Sequence, residues 1–474
     1  MLGELRRETS LYGVAMVFGG LVQLVFLPFM SHNLTVTEAG ELGILVTASG
    51  VIATFIVLGL PTAIIRTWQR TGAHRGIMLR GLLIPLLPTC VVVAVFLGLP
   101  QALGRALGLE RTNDLVHAAA LGIAAAYSQL SLSFLRAEGL AGRYLLISMG
   151  KGVLAVLVLT TLILAGRGGV GGFLAARWAP AFAVAVAGAM IMFGRIGRSS
   201  PVASPGEGLT GSMMSFGLPL LPASLAMLAL SSADMIMLRH LHPDMAESGY
   251  YYWANTACMA LVPLTAGFEM AWPRFIFRIR DTGGTLGQLG RAALGFMLVV
   301  VWASSVLGLA GPEIVRIVGG GRFADVSRVL PTLAGATGMY SLFLVSQTGP
   351  LLTGQTRFIA GMTLFGALLN VGFNFRLIPT AGAMGAAFAT LGTNMFMALS
   401  LFWLGRKVFP INPLVVVLVI GPLVAMGPLA TLGHFPRAAI LFGMTCAVGS
   451  LLMVLGVASR RRGGSRTGGG REEE

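Results

Sequence analysis

The chain has 474 residues, of which 55% are hydrophobic and 11% charged, with a mean hydropathy of +0.82. A soluble domain carries about 25% charged residues, so a water-soluble fold of this length is excluded and an all-α polytopic membrane protein is expected. The formal net charge of +15 would suggest nucleic acid in a soluble protein, so where the basic residues sit decides its meaning.

The first apolar run extends from Leu11 to Met30 behind a short basic lead containing Arg6 and Arg7. It is too long for the core of a signal peptide, and no Ala-x-Ala site follows, so it reads as an uncleaved first span. Continuous apolar runs then predict fourteen transmembrane helices in all, near 11–32, 41–65, 81–100, 115–135, 144–165, 170–194, 212–238, 248–272, 290–310, 329–352, 358–377, 381–404, 411–432 and 437–458. A closed barrel is excluded because the runs are continuous rather than alternating. The abundant glycine (65 residues) suits close helix packing in a membrane.

Basic residues in the loops set the orientation. The faces holding the N-terminus, the even-to-odd loops and the C-terminal tail contain 22 of the 33 basic residues; the opposite faces contain nine, and Lys151 and Arg177 lie inside spans. Both termini are therefore expected in the cytoplasm. The basic excess is mostly a topology signal, and nucleic-acid binding loses its support. Cys90, Cys258 and Cys446 each lie in an apolar run, which argues against a disulfide framework, and the six histidines form no Cys/His cluster, so zinc is not expected.

A weak internal repeat organises the chain. Glu38-Ala39-Gly40 matches Glu247-Ser248-Gly249 at an offset of 209, and Arg143 with Phe173 matches Arg357 with Phe388 at 214 to 215. Six helices per repeat preserve orientation, so two parallel lobes are expected around a cavity that opens alternately to each side. The expected organisation is an N-lobe at 1–194, a cytoplasmic linker at 195–210, a C-lobe at 211–405, helices 13 and 14 at 406–458 and a disordered cytoplasmic tail at 459–474. The arginines of that tail either touch anionic lipid or serve as a plain stop-transfer flank.

Ionisable groups inside spans cost about 2.5–3.5 kcal/mol each on the insertion scale, so each is a functional candidate. Lys151 and Arg177 either serve a cavity or snorkel to the headgroups or pair between helices. Asp234 and Glu269 lie near opposite faces and cannot pair directly; each is a candidate for ion coupling, because burial and water access shift a carboxyl group in opposite directions. Arg66 either faces the cavity or stops the second helix, and Arg274 is its nearest basic equivalent in the second lobe. Asn255, Gln347, Asn370 and Asn374 either hydrogen-bond sugar hydroxyls or tie helices together. Asn370 and Asn374 are four apart and share a helix face. No G-x-S-x-G, HExxH or P-loop pattern is present, so neither hydrolytic chemistry nor ATP is expected.

Several motifs recur in order along helices 1–12: YGVAMVFGGLVQLVFLPFMSHNLTVTEAGELGI, LGLPTAIIRTWQR, SSADMIMLRHLHPDMAESGYYYWA, AGPEIVRIVGGGRFADVSRVLPTL and LLTGQTRFIAGMTLFGALLNVGFNFRLIPTAGAMGAAFAT. In this series the chain resembles the polysaccharide-biosynthesis (Wzx-type) flippases of the multidrug/oligosaccharidyl-lipid/polysaccharide exporter superfamily. The resemblance implies a V-shaped bundle of two six-helix lobes around a cationic cavity, with two further C-terminal helices. It implies that an undecaprenyl-pyrophosphate-linked oligosaccharide is turned across the bacterial cytoplasmic (inner) membrane for surface polysaccharide assembly, such as O-antigen or exopolysaccharide. Arg66 matches a cavity arginine of the family; Lys151 and Arg177 rest on burial alone. Arginine forks suit phosphate oxygens, and the polyprenyl tail would stay in lipid. No cofactor is implied beyond a coupling proton or sodium ion, and polysaccharide polymerase or assembly proteins are the expected protein partners. The related peptidoglycan-precursor flippases carry acidic and basic residues on helix one, where this chain's first span has only Gln23 as a polar long side chain, which argues against that substrate. Two other readings stay open. A multidrug/cation antiporter of the same superfamily predicts an acid-lined cavity. A non-transporting scaffold predicts that the intramembrane charges are dispensable.

Overall fold

The computed structural model describes residues 2–70, 74–109, 112–196, 208–281, 286–409, 413–430, 436–441, 443–448 and 451. Most of the expected linker at 195–210 and the whole tail at 459–474 lie outside the described residues. The first half runs through α1 (Leu2–Asn33), α2 (Val36–Val57), α3 (Leu60–Arg70), α4 (His74–Leu83), α5 (Leu86–Gly98), α6 (Pro100–Leu107), α7 (Leu115–Ala137), α8 (Ala141–Leu164) and α9 (Val170–Ile196). The second runs through α10 (Leu209–Gly217), α11 (Leu221–Leu241), α12 (Met245–Cys258), α13 (Val262–Asp281), α14 (Leu286–Leu309), α15 (Gly311–Ile314), α16 (Val326–Ser346), α17 (Thr348–Leu352), α18 (Thr356–Gly405) and α19 (Pro413–Ala430).

Among the described residues, ten helical stretches are long and apolar enough to cross a membrane, and two shorter apolar helices follow at Val419–Ala430 and Pro436–Val448. The protein is an all-α, multi-pass membrane protein. The count of fourteen is not confirmed, for two physical reasons. The predicted span at 248–272 is divided by a 3-10 turn at Met259–Leu261 into α12 and α13, and α13 carries Glu269 and three arginines among its 20 residues. The predicted eleventh and twelfth spans form the single 50-residue element α18, bent at Gly382 with φ 52° and ψ −130°. A side chain there would be strained, so glycine permits the bend that sends the second arm back.

The halves pack in corresponding pairs. In the first, α1 lies on α8, α2 on α7, and α7 on α9; in the second, α11 lies on α18, α12 on α16, and α16 on α18. The repeated Glu-Ala-Gly and Glu-Ser-Gly segments meet in space. A Cβ at Gly40 would stand 3.0 Å from the Gly249 nitrogen, and one at Gly249 would strike the Val36 carbonyl. The starts of α2 and α12 therefore cross backbone to backbone. Each start is also held by a side chain of its own sequence. Thr35 and Glu38 form a reciprocal capping box on α2, and Asp244 accepts from the Ala246 amide at 2.9 Å on α12. Gly249→Ala is expected to destabilise the fold by about 1–3 kcal/mol through overpacking. Gly267→Ala, where nothing stands within 4 Å of the new carbon, is expected to be neutral or stabilising. Thermal unfolding of the two variants in detergent checks the contrast.

Candidate functional site: a cationic cavity and a buried carboxylate

A cavity of about 630 Å³ lies between the halves, walled by α1, α2, α7, α8, α9, α11 and α12. Its lining is mostly apolar or small, with Gln23, Ser148, Ser231, Ser232, Asn255 and Thr256 adding hydroxyls and amides. Lys151 and Arg177 are the only charged residues among those lining it. They reach it from neighbouring antiparallel helices, each well inside its helix, so the opposite chain directions bring both to one chamber.

The two cations are differently held. Arg177 donates from Nη1 to the Tyr252 hydroxyl at 2.7 Å, and its guanidinium carbon stands 5.1 Å from the centre of the Phe26 ring. Such a ring face stabilises a cation by about 0.5–2 kcal/mol. Its Nε is buried without a partner, as is the hydroxyl of Ser148, three residues before Lys151. Among the described residues Lys151 has no hydrogen-bond or ion-pair partner. A lysine and an arginine without an acidic neighbour, in a chamber lined mostly by apolar walls, suit an anion, because a low dielectric amplifies the attraction.

A second polar centre lies in the second half. Asp234 on α11 is 1% exposed. It accepts hydrogen bonds from the Tyr251 hydroxyl, from Asn374 Nδ2 at 2.5 Å and from Thr390 Oγ1 at 3.0 Å. Asn374 Nδ2 also donates to Asn370 Oδ1 at 3.0 Å. These side chains join α11, α12 and both arms of α18, and every hydrogen-bond partner is neutral. The Asn374 Oδ1 and Asn370 Nδ2 atoms are buried without partners.

The residues marked by sequence thus separate into groups. Lys151, Arg177 and Asn255 share the cavity; Asp234, Asn370 and Asn374 share the buried network. Arg66 is exposed within α3, with its guanidinium 4.2 Å from the centre of the Phe216 ring, and does not line the cavity. Glu269 is exposed on α13, and Gln347 lies half-buried where α16 meets α17; neither lines the cavity. The Arg274 side chain lies outside the described residues. Tyr251, Tyr252 and Thr390 were not marked by sequence. The run Tyr250-Tyr251-Tyr252 at the start of a membrane helix is the one signal that pointed to the first two, since buried tyrosine hydroxyls need partners.

The model of the polysaccharide biosynthesis protein family matches residues 5–276, more than half of the chain. The chain belongs to that family. No curated protein matches it. Its fold is shared with solved membrane proteins, one of them described as a member of the MOP superfamily. It is similar to the lipid II flippase MurJ in an inward closed conformation, at 12% identity over 95% of this chain and 99% of that one, with a TM-score of 0.68. It is also similar to an inward-facing multidrug resistance MATE family transporter, at 18% identity over 84% of this chain and 94% of that one, with a TM-score of 0.60. The chain is thus a multi-pass membrane protein of this family with a fold shared by solved transporters, and its chamber lies between the two halves.

Proposed function

We propose that the protein is a flippase, not an enzyme, and that it turns an undecaprenyl-pyrophosphate-linked oligosaccharide across the bacterial cytoplasmic membrane for surface polysaccharide assembly. The observation that carries this reading is the sign of the cavity: two unneutralised cations and no acid among its lining residues. A pyrophosphate diester supplies the missing negative charge, and Arg177 offers a planar fork to its oxygens. The neutral amides and hydroxyls suit sugar, and the polyprenyl tail stays in lipid. A cation antiporter would need the opposite sign.

In this reading residues 1–194 and 211–405 act as two lobes that rock about the cavity, with both termini cytoplasmic. Asp234 is the ion-coupling group. A carboxylate taken out of water is costly, and binding a proton or sodium ion removes that cost, so the energy of the network depends on occupancy. The experiment is a deletion strain assayed for lipid-linked glycan. Accumulation on the cytoplasmic leaflet, reversed by the intact gene, is the expected result; undiminished export of surface polysaccharide without the gene would remove the reading.

A further inference from the structure

Three consecutive residues of α12 connect three separate parts of the molecule. Tyr251 donates its hydroxyl to Asp234 in the buried network. Tyr252 turns its hydroxyl to the cavity and accepts from Arg177 at 2.7 Å. Trp253 donates from Nε1 to Ser31 Oγ of α1 at 2.8 Å. Successive residues on a helix point about 100° apart, so one short segment can face three ways at once. All three rings are buried, at 4%, 6% and 0% exposure, so none can swing free without moving the helix.

The Tyr252 ring has a further constraint. It lies on the backbone of α2 at Gly43, where a Cβ would stand 2.7 Å from ring carbons. A shift of α12 toward or away from α2 therefore moves the hydroxyl that holds Arg177. The 14-residue α12 is also separated from α13 by the 3-10 turn at Met259–Leu261, so it need not drag the next helix with it.

We propose that Tyr251 and Tyr252 are positioning residues that couple the state of Asp234 to the anion affinity of Arg177, an inference that rests on the anion-site reading above. When the Asp234 carboxylate is neutralised, it no longer holds the Tyr251 hydroxyl as a charged acceptor does. The restraint on α12 relaxes about its Trp253 attachment, Tyr252 shifts, and the Arg177 fork is released to the cavity. By linkage the effect runs both ways, so an anion on Arg177 raises the affinity of Asp234 for its proton or sodium ion by the same factor.

A double-mutant cycle tests this, with inorganic pyrophosphate as the probe and calorimetry on the full chain in detergent. Asp234→Asn stands for the neutralised acid and is expected to tighten pyrophosphate binding about fivefold or more, the lower end of usual coupling. In Tyr251→Phe or Tyr252→Phe backgrounds the same substitution is expected to change affinity less than about twofold, because the link is gone. Phenylalanine keeps the ring, so packing is preserved. Gly43→Ala, which displaces Tyr252 from the other side, is expected to give the same insensitivity and serves if a tyrosine variant does not fold. An equal Asp234→Asn effect in all backgrounds would mean simple charge removal and would overturn the link. Wild-type protein that binds pyrophosphate but ignores Asp234→Asn would also overturn it, leaving the anion site intact. Wild-type protein that does not bind pyrophosphate would overturn the anion-site reading itself, and this inference with it.

Discussion

Replacing Lys151 or Arg177 by alanine is expected to weaken pyrophosphate binding on the order of ten- to a hundredfold, because a hydrogen bond to a charged group is worth about 1.5–3 kcal/mol. Export of lipid-linked glycan in cells should fall with it. The two residues are not equivalent. Arg177 is already held by Tyr252 and Phe26, so its loss also leaves the Tyr252 hydroxyl without its donor. Lys151 has no such restraint, and Lys151→Arg is expected to keep most of the affinity while Lys151→Gln is not. Arg66→Ala provides the contrast. Its guanidinium lies over Phe216 on an exposed surface, so binding should stay within about twofold of wild type. Full export by both Lys151→Ala and Arg177→Ala proteins would remove the cationic-cavity account and favour a scaffold.

The second large effect is expected at Asp234. Asp234→Ala leaves the Tyr251 hydroxyl, Asn374 Nδ2 and Thr390 Oγ1 without their shared acceptor in a buried site. Each unsatisfied donor costs about 1–3 kcal/mol, although neighbours in one network do not add simply. The variant should therefore unfold at distinctly lower temperature in detergent. Asp234→Asn keeps the shape and one acceptor oxygen, so it should fold better yet lose any dependence of transport on an ion gradient. Transport by Asp234→Asn that still responds to collapse of proton and sodium gradients would show that coupling lies elsewhere.

Much of this was legible in the sequence. Apolar runs of membrane length marked the helices because a bilayer leaves the backbone few alternatives. Lys151 and Arg177 stood out because a charge inside such a run is costly. The sequence could not show that two helices running in opposite directions would deliver both charges to one chamber. Nor could it show that Arg66, despite its place in a family motif, would turn onto Phe216. The partners of Asp234 were hidden for a related reason. Asn370 and Asn374 share a helix face by spacing alone, but Thr390 joins them only because α18 doubles back at Gly382. The count of fourteen went unconfirmed at a helix divided by a turn and at two arms joined through one glycine, because hydropathy does not show how neighbouring spans are joined.

The crossing of α2 and α12 at Gly40 and Gly249 has a consequence for the route of a lipid-borne substrate. A hydrocarbon chain needs about 4 Å from carbon to carbon on each side. Where two backbones already touch, no such gap exists, and that end of the seam between the halves is shut to a trailing chain. A head group resting on Lys151 and Arg177 must therefore keep its tail in another seam for as long as this crossing holds.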